Sequence, residues 1–131
     1  MKKDRLLNPA VTAAVASLGH TEYFCIADCG LPIPKGTETI DLSLTAGIPA
    51  FLDVLHCVNS ELVIESFIVA SEMEEKNESL FIELKKELDG LPYRVVPHKE
   101  FKKLVSHAKC VIRTGEVKSY ANVILIGGVN F

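Results

Sequence analysis

Four short stretches place proton-exchanging or hydroxyl-binding side chains beside apolar runs. His20 stands in "LGHT", Asp28 follows "YFCIA", His98 follows "YRVVP", and Ser119, Tyr120 and Asn122 open "SYANVIL". A histidine with an ordinary pKa of about 6.5 passes protons near neutrality, and a nearby carboxylate would hold its ring. A tyrosine hydroxyl both donates and accepts, and an asparagine amide offers a carbonyl and an N–H, a combination suited to a vicinal diol. If these groups converge, they would perform acid–base chemistry on a small polyhydroxylated molecule. Each also has an ordinary structural use. His20 would follow a helix end, where the dipole favours an imidazolium; Asp28 would suit a turn; His98 would cap the next helix; and "SYAN" would lead into a strand. Position alone leaves both readings open. His56 and His107 fall on expected helices without polar neighbours and are assigned to packing or surface duty.

The elements that would position these residues are legible as hydrophobic patterns. Asn8 before Pro9 reads as an N-cap with proline in the first turn, and Val11, Ala14, Val15 and Leu18 repeat at helical spacing until Gly19. "YFCIA" is a continuous apolar run with aromatic and β-branched content, which predicts a strand buried on both faces. A proline-stiffened loop follows, with Pro32 and Pro34 expected to hold the rim of any site there. The chain continues with a short strand at "TIDLSL", a helix opened by Pro49, a strand at 61–70 and a helix over 77–89 capped by Asn77 and stopped by Gly90. "YRVVP" predicts a strand, "KEFKKLVSH" a short helix, and "KCVIRTG" and "ANVILIGGV" two closing strands. Alternating helices and apolar strands predict an α/β three-layer sandwich with a mostly parallel, mixed central sheet, the closing strand pair being where antiparallel pairing would enter. The whole of residues 1–131 reads as a single domain. In such sheets ligands bind beyond the carboxyl ends of the strands, which singles out Asp28 and His98.

Bulk properties narrow the function classes. Fourteen Lys and Arg against seventeen Asp and Glu give a formal charge of −3 without long single-sign runs, so nucleic acid and anionic membrane are poor partners. No segment has the ~18 consecutive apolar residues of a membrane span, and no secretory leader is evident, so a cytoplasmic location is expected. Cys25, Cys29, Cys57 and Cys110 form no CxxC pair and read as free thiols. Phosphate-loop, dinucleotide-binding, zincin and serine-hydrolase motifs are absent, which makes chemistry without a cofactor or metal the default expectation.

Taken in order, "LNPAV", "LGHT", "ADCGLPIP", "IDLSLTAGIPAF", "HKEFK", "VIRTGE" and "YANVIL" with a terminal Phe resemble the D-ribose pyranase family. The resemblance implies a cofactor-independent isomerase that interconverts pyranose and furanose forms of D-ribose. By similarity, His20 would be the catalytic acid, while Asp28, His98 and Tyr120, Ala121 and Asn122 would bind the sugar, with Asp28 also orienting His20. Related fucose mutarotases share the plan, but "CGLPIP" after the aspartate favours the ribose branch. Glu22, Cys29 and the missing proline before Tyr120 depart from the family pattern without removing the acid–base set. The resemblance further implies a large ring-shaped homo-oligomer, a decamer, with sites near subunit boundaries. A sugar-binding module without turnover needs the same polar groups, and a metal-dependent aldolase or hydrolase using His20, His98 and Asp28 is a third reading. The five residues of "YFCIA" span roughly 16 Å as a strand, so His20 and Asp28 meet only through a returning loop or a neighbouring copy.

Overall fold

In the computed structural model, which describes residues 1–3 and 5–131, six strands form one sheet. They are β1 (Tyr23–Ala27), β2 (Thr39–Asp41), β3 (Ile64–Ala70), β4 (Tyr93–Val96), β5 (Ala108–Arg113) and β6 (Val123–Gly127), in the order β2-β5-β1-β6-β3-β4. The two most continuously apolar runs, β1 and β6, lie at its centre, where both faces are covered. Five strands run parallel. β6 is antiparallel to both neighbours, β1 and β3, so the odd strand is inserted in the middle. β5 and β6, expected as a closing pair, are separated by β1.

Side chains alternate across the sheet and define two cores. Phe24 and Ile26 face one layer with Phe67, Val69, Ile112, Val123 and Leu125. That layer is covered by α1 (Pro9–Ser17), α2 (Phe51–Asn59) and α4 (Glu78–Glu87), with Met73 of α3 (Ser71–Lys76) filling its edge. Cys25, Ala27, Ile68, Ala70 and Val111 face the other way and meet a single helix, α5 (His98–Val105), through Phe101 and Val105, with Leu31 beside them. Small residues on that face let one helix and one loop close it. Full burial of a side chain the size of Phe101 contributes about 1.5–3 kcal/mol.

Local chemistry sets the element ends. Asn8 Oδ1 accepts the Val11 N–H at 3.0 Å and Pro9 occupies the first turn of α1, as the sequence predicts. β3 starts at Ile64 rather than at Glu61, because the N–H groups of Glu61 and Leu62 both bond the Val58 carbonyl and prolong the end of α2. The helix expected over 77–89 is α4, preceded without a loop by α3. Asn77 does not cap it; its side-chain amide instead donates to the Ser119 carbonyl at 3.0 Å.

This topology sorts the polar positions to two ends of the sheet. The parallel strands all finish at the end where β6 begins, so Asp28, Ser71, His98, Thr114 and Asn122 arrive together. The opposite end collects the turn bearing His20, the start of β3 and the exit of β6. Among the described residues, no helix is long and apolar enough to cross a membrane.

Candidate active site

At the strand exits lies a cavity of about 310 Å³, at the small end of ligand sites. Asp28, Cys29, Leu31, Pro32, His98, Glu116 and Tyr120 are among its walls. Asp28 continues directly from β1, and its carboxylate is fixed from two sides. Oδ1 accepts the Gly30 N–H at 3.0 Å, closing an Asx turn, and Oδ2 accepts the side-chain N–H of Asn122 at 3.1 Å. The Asn122 carbonyl in turn accepts the Asp28 backbone N–H at 2.8 Å. Asn122 is buried, so its amide serves Asp28 rather than lining the cavity, and buried Ala121 likewise lies beneath the surface.

His98 opens α5 behind Pro97, which has no side chain able to cap a helix. Glu72, at the start of α3, supplies that cap from a neighbouring element, both carboxylate oxygens accepting the His98 N–H at 3.0 and 3.2 Å. Burial pushes the Glu72 carboxyl up, but the hydrogen bonds from His98 and the Ser71 hydroxyl outweigh it and hold it below the usual carboxylate range. The His98 ring lies near parallel to Phe101 and edge-on to Tyr120, with centroids 6.3 and 5.0 Å away. Burial, reinforced by Lys102, lowers its pKa against the opposing pull of Glu72 and Asp28, so the ring is neutral at pH 7. Its Nδ1 is buried without a hydrogen-bond partner among the described residues.

Tyr120 sits at φ 60°, a left-handed conformation that costs a non-glycine residue of order 1–3 kcal/mol and is held by its surroundings. The Asn77 side chain holds the Ser119 carbonyl, the Asn122 N–H bonds the Tyr120 carbonyl at 2.9 Å, and His98 abuts the ring. The loop before it is pinned by Glu116, a buried carboxylate whose Oε1 accepts the first N–H of α2, from Phe51, and whose Oε2 accepts those of Val117 and Lys118. Gly115 admits no side chain, because a Cβ there would run into the carbonyls of Ile48 and Thr45. Of the two prolines expected to hold the rim, Pro32 is on the cavity wall, with Leu31 anchored in the core beside it, and Pro34 is not among the lining residues.

The structure therefore brings together Asp28, His98, Tyr120 and, beneath them, Ala121 and Asn122. It does not bring His20 to them within one chain. His20 stands at the other end of β1, where its Nε2 lies 2.8 Å from Glu65 Oε2; Glu65, and not Asp28, contacts its ring. Sequence reasoning missed Glu65, Glu72 and Glu116, since each acts through a partner distant in sequence. "VIRTGE" contained Glu116, but nothing in its spacing pointed to α2. Among the described residues, no group of three or more His, Cys, Asp or Glu side chains is placed to hold a metal ion.

A three-layer α/β domain with a carboxylate, an imidazole and a phenol around a cavity at its strand exits defines a class of protein suited to small polyhydroxylated ligands. The chain belongs to the RbsD / FucU transport protein family, whose model matches residues 1–130. It is 50% identical over 131 residues to the D-ribose pyranase of Laribacter hongkongensis, covering all of both chains. It matches Bacillus subtilis RbsD complexed with D-ribose at a TM-score of 0.96 and 43% identity, again over all of both chains. The fucose mutarotase of Streptococcus pneumoniae, solved with L-fucose, shares the fold at a TM-score of 0.76 and 19% identity, over 95% of this chain and 94% of that one.

Proposed function

We propose that this protein is a D-ribose pyranase, an intramolecular isomerase that exchanges the six- and five-membered ring forms of D-ribose. The observation that carries the reading is the full-length likeness to RbsD complexed with D-ribose, 43% identical at a TM-score of 0.96. Opening a cyclic hemiacetal needs one proton delivered to the ring oxygen and one removed from the anomeric hydroxyl, after which a different hydroxyl closes on the aldehyde. The reaction proceeds unaided in water, so the about 10² to 10⁴-fold that general acid–base groups supply is sufficient.

In this reading Asp28, held rigid by Asn122 and Gly30, accepts a sugar hydroxyl. Neutral His98, on the cavity wall, meets another, and Tyr120 supplies a hydroxyl able to relay the anomeric proton. His20 is the acid. Because β1 separates it from Asp28 by roughly 16 Å within a chain, the His20 of a neighbouring copy completes each site. Exposed Leu44 and Val117, beside the cavity rim, and nearby Ile48 support a face that another copy covers. A ring-shaped homo-oligomer of decamer size, located in the cytoplasm, is the assembly this reading expects.

The test is saturation-transfer NMR between ribopyranose and ribofuranose signals, with fucose alongside and no added metal. Catalysed exchange of ribose is expected, abolished in H20A and D28N. Tight ribose binding without exchange would establish a binding module instead.

A further inference from the structure

We infer that Glu65 is the positioning residue of His20, holding its Nε2–H so that Nδ1 is the nitrogen that hands a proton to the sugar. The inference rests on the reading of His20 as the acid. Three features of the structure converge on this contact. First, the turn carrying His20 is fixed without using its side chain. Glu22 Oε2 accepts the Gly19 N–H at 2.6 Å and a Lys109 ammonium N–H at 3.0 Å, while the Thr21 N–H bonds the Gly127 carbonyl at 2.9 Å. Second, the turn can lie this close to the end of β6 because residue 127 is glycine; a Cβ there would be 2.5 Å from the Gly19 carbonyl oxygen. Third, the β3–β6 ladder pairs Ile64 with Gly127 and Ser66 with Ile126, so that Glu65 is the extra residue of a β-bulge. Bulges re-aim side chains, and this one leaves the Glu65 carboxylate 2.8 Å from His20 Nε2.

Both side chains are about half exposed, at 52% and 42%, and a pair this exposed adds little to stability. Its consequence is chemical. Which ring nitrogen carries the proton is set by the hydrogen bond the other one makes. With Nε2–H given to Glu65, the acid form donates the Nδ1 proton to the ring oxygen as the bond from that oxygen to the anomeric carbon breaks. The neutral ring left behind is the Nε2–H tautomer that Glu65 stabilises. Closure on the other hydroxyl returns that hydroxyl's proton to Nδ1. No bond to His20 Nδ1 exists among the described residues that would compete.

The experiment compares E65A, E65Q and H20A in the full-length assembly by ribose exchange kinetics and by ring ¹⁵N shifts of ¹⁵N-histidine protein, the H20A spectrum assigning the His20 signals. In E65A we expect kcat to fall at least about tenfold, within the 10² to 10⁴-fold a general acid supplies, with KM little changed. His20 should lose its uniform Nε2–H tautomer. E65Q keeps an acceptor oxygen and should restore the tautomer and much of the rate. Unchanged kcat and tautomer in E65A, with H20A inactive, would overturn the Glu65 assignment and leave His20 as the acid. Full exchange in H20A would overturn the reading of His20 itself, whatever the tautomer shows.

Discussion

Replacing Asn122 by alanine strips Asp28 of two of its partners at once. The backbone N–H of Asp28 loses the Asn122 carbonyl at 2.8 Å, and its carboxylate loses an N–H donor at 3.1 Å. An unsatisfied buried donor costs about 1–3 kcal/mol, and a bond to a charged group contributes about 1.5–3 kcal/mol. Water reaching the half-buried Asp28 offsets part of both, so a combined loss of about 2–4 kcal/mol is expected. With about 2.1 cal/mol/K of unfolding entropy per residue over the 131-residue chain, each kcal/mol lowers Tm by about 4 °C, giving a drop of about 7–15 °C. A carboxylate held on one side only, by the Gly30 N–H, should raise KM for ribose by about tenfold, equivalent to about 1.4 kcal/mol, with a smaller change in kcat. N122D, which sets a second carboxylate against Asp28, should lose more than N122A at neutral pH. Thermal unfolding and ring-exchange kinetics measure both effects. An N122A protein with wild-type Tm and KM would refute the reasoning that Asn122 acts through Asp28.

His98 should titrate below about 6.5 in a ¹H–¹⁵N NMR titration, and D28N should lower its midpoint further by removing a charge that raises it. Since the unfolded chain protonates at about 6.5, this histidine's share of stability is complete above that pH and is lost as pH falls through the lower folded-state value. In a thiol-labelling assay on native protein, exposed Cys29 should react fast and be slowed by ribose, because it lines the cavity. Cys110, with its thiol pushed up to about 11 by burial, and fully buried Cys25, whose thiol burial raises further, should stay unreacted until unfolding. G115A should fold poorly, by about 1–3 kcal/mol or more, because the new methyl group meets the backbone carbonyls of Ile48 and Thr45, and a chemical denaturation curve would show it.

The layers of this fold were legible because they rest on local patterns. The apolar run of β1 and the Asn8–Pro9 start of α1 each follow from residues adjacent in sequence, whereas α4 ends at Glu87, before the turn in which Gly90 adopts φ 72°. That antiparallel pairing enters with the closing strands was anticipated, but the insertion of β6 between β1 and β3 was not legible, since a buried strand reads the same whichever strands flank it. Asn77 had the sequence of a helix cap, yet its amide went to Ser119, 42 residues away, where the strained Tyr120 loop needed a donor. Asp28 and His98 could be singled out as strand exits, but their braces could not. Asn122 is separated from Asp28 by 94 residues and Glu72 from the His98 N–H by 26, and only the assembled sheet sets those distances. The placement of His20 at the far end of β1 followed from strand length alone. Its contact with Glu65 depended on a bulge and on a glycine in a different strand, neither of which has a sequence periodicity.

Ribose ring exchange is expected at a site assembled from Asp28 of one copy and His20 of another. Mixed assemblies reconstituted from equal amounts of H20A and D28N chains test it most directly by saturation-transfer NMR. Each parent should be inactive, and random mixing should regenerate about a quarter of the wild-type sites, with exchange returning in proportion. Mixed assemblies as inactive as the parents would contradict a shared site and require both residues to act within one chain.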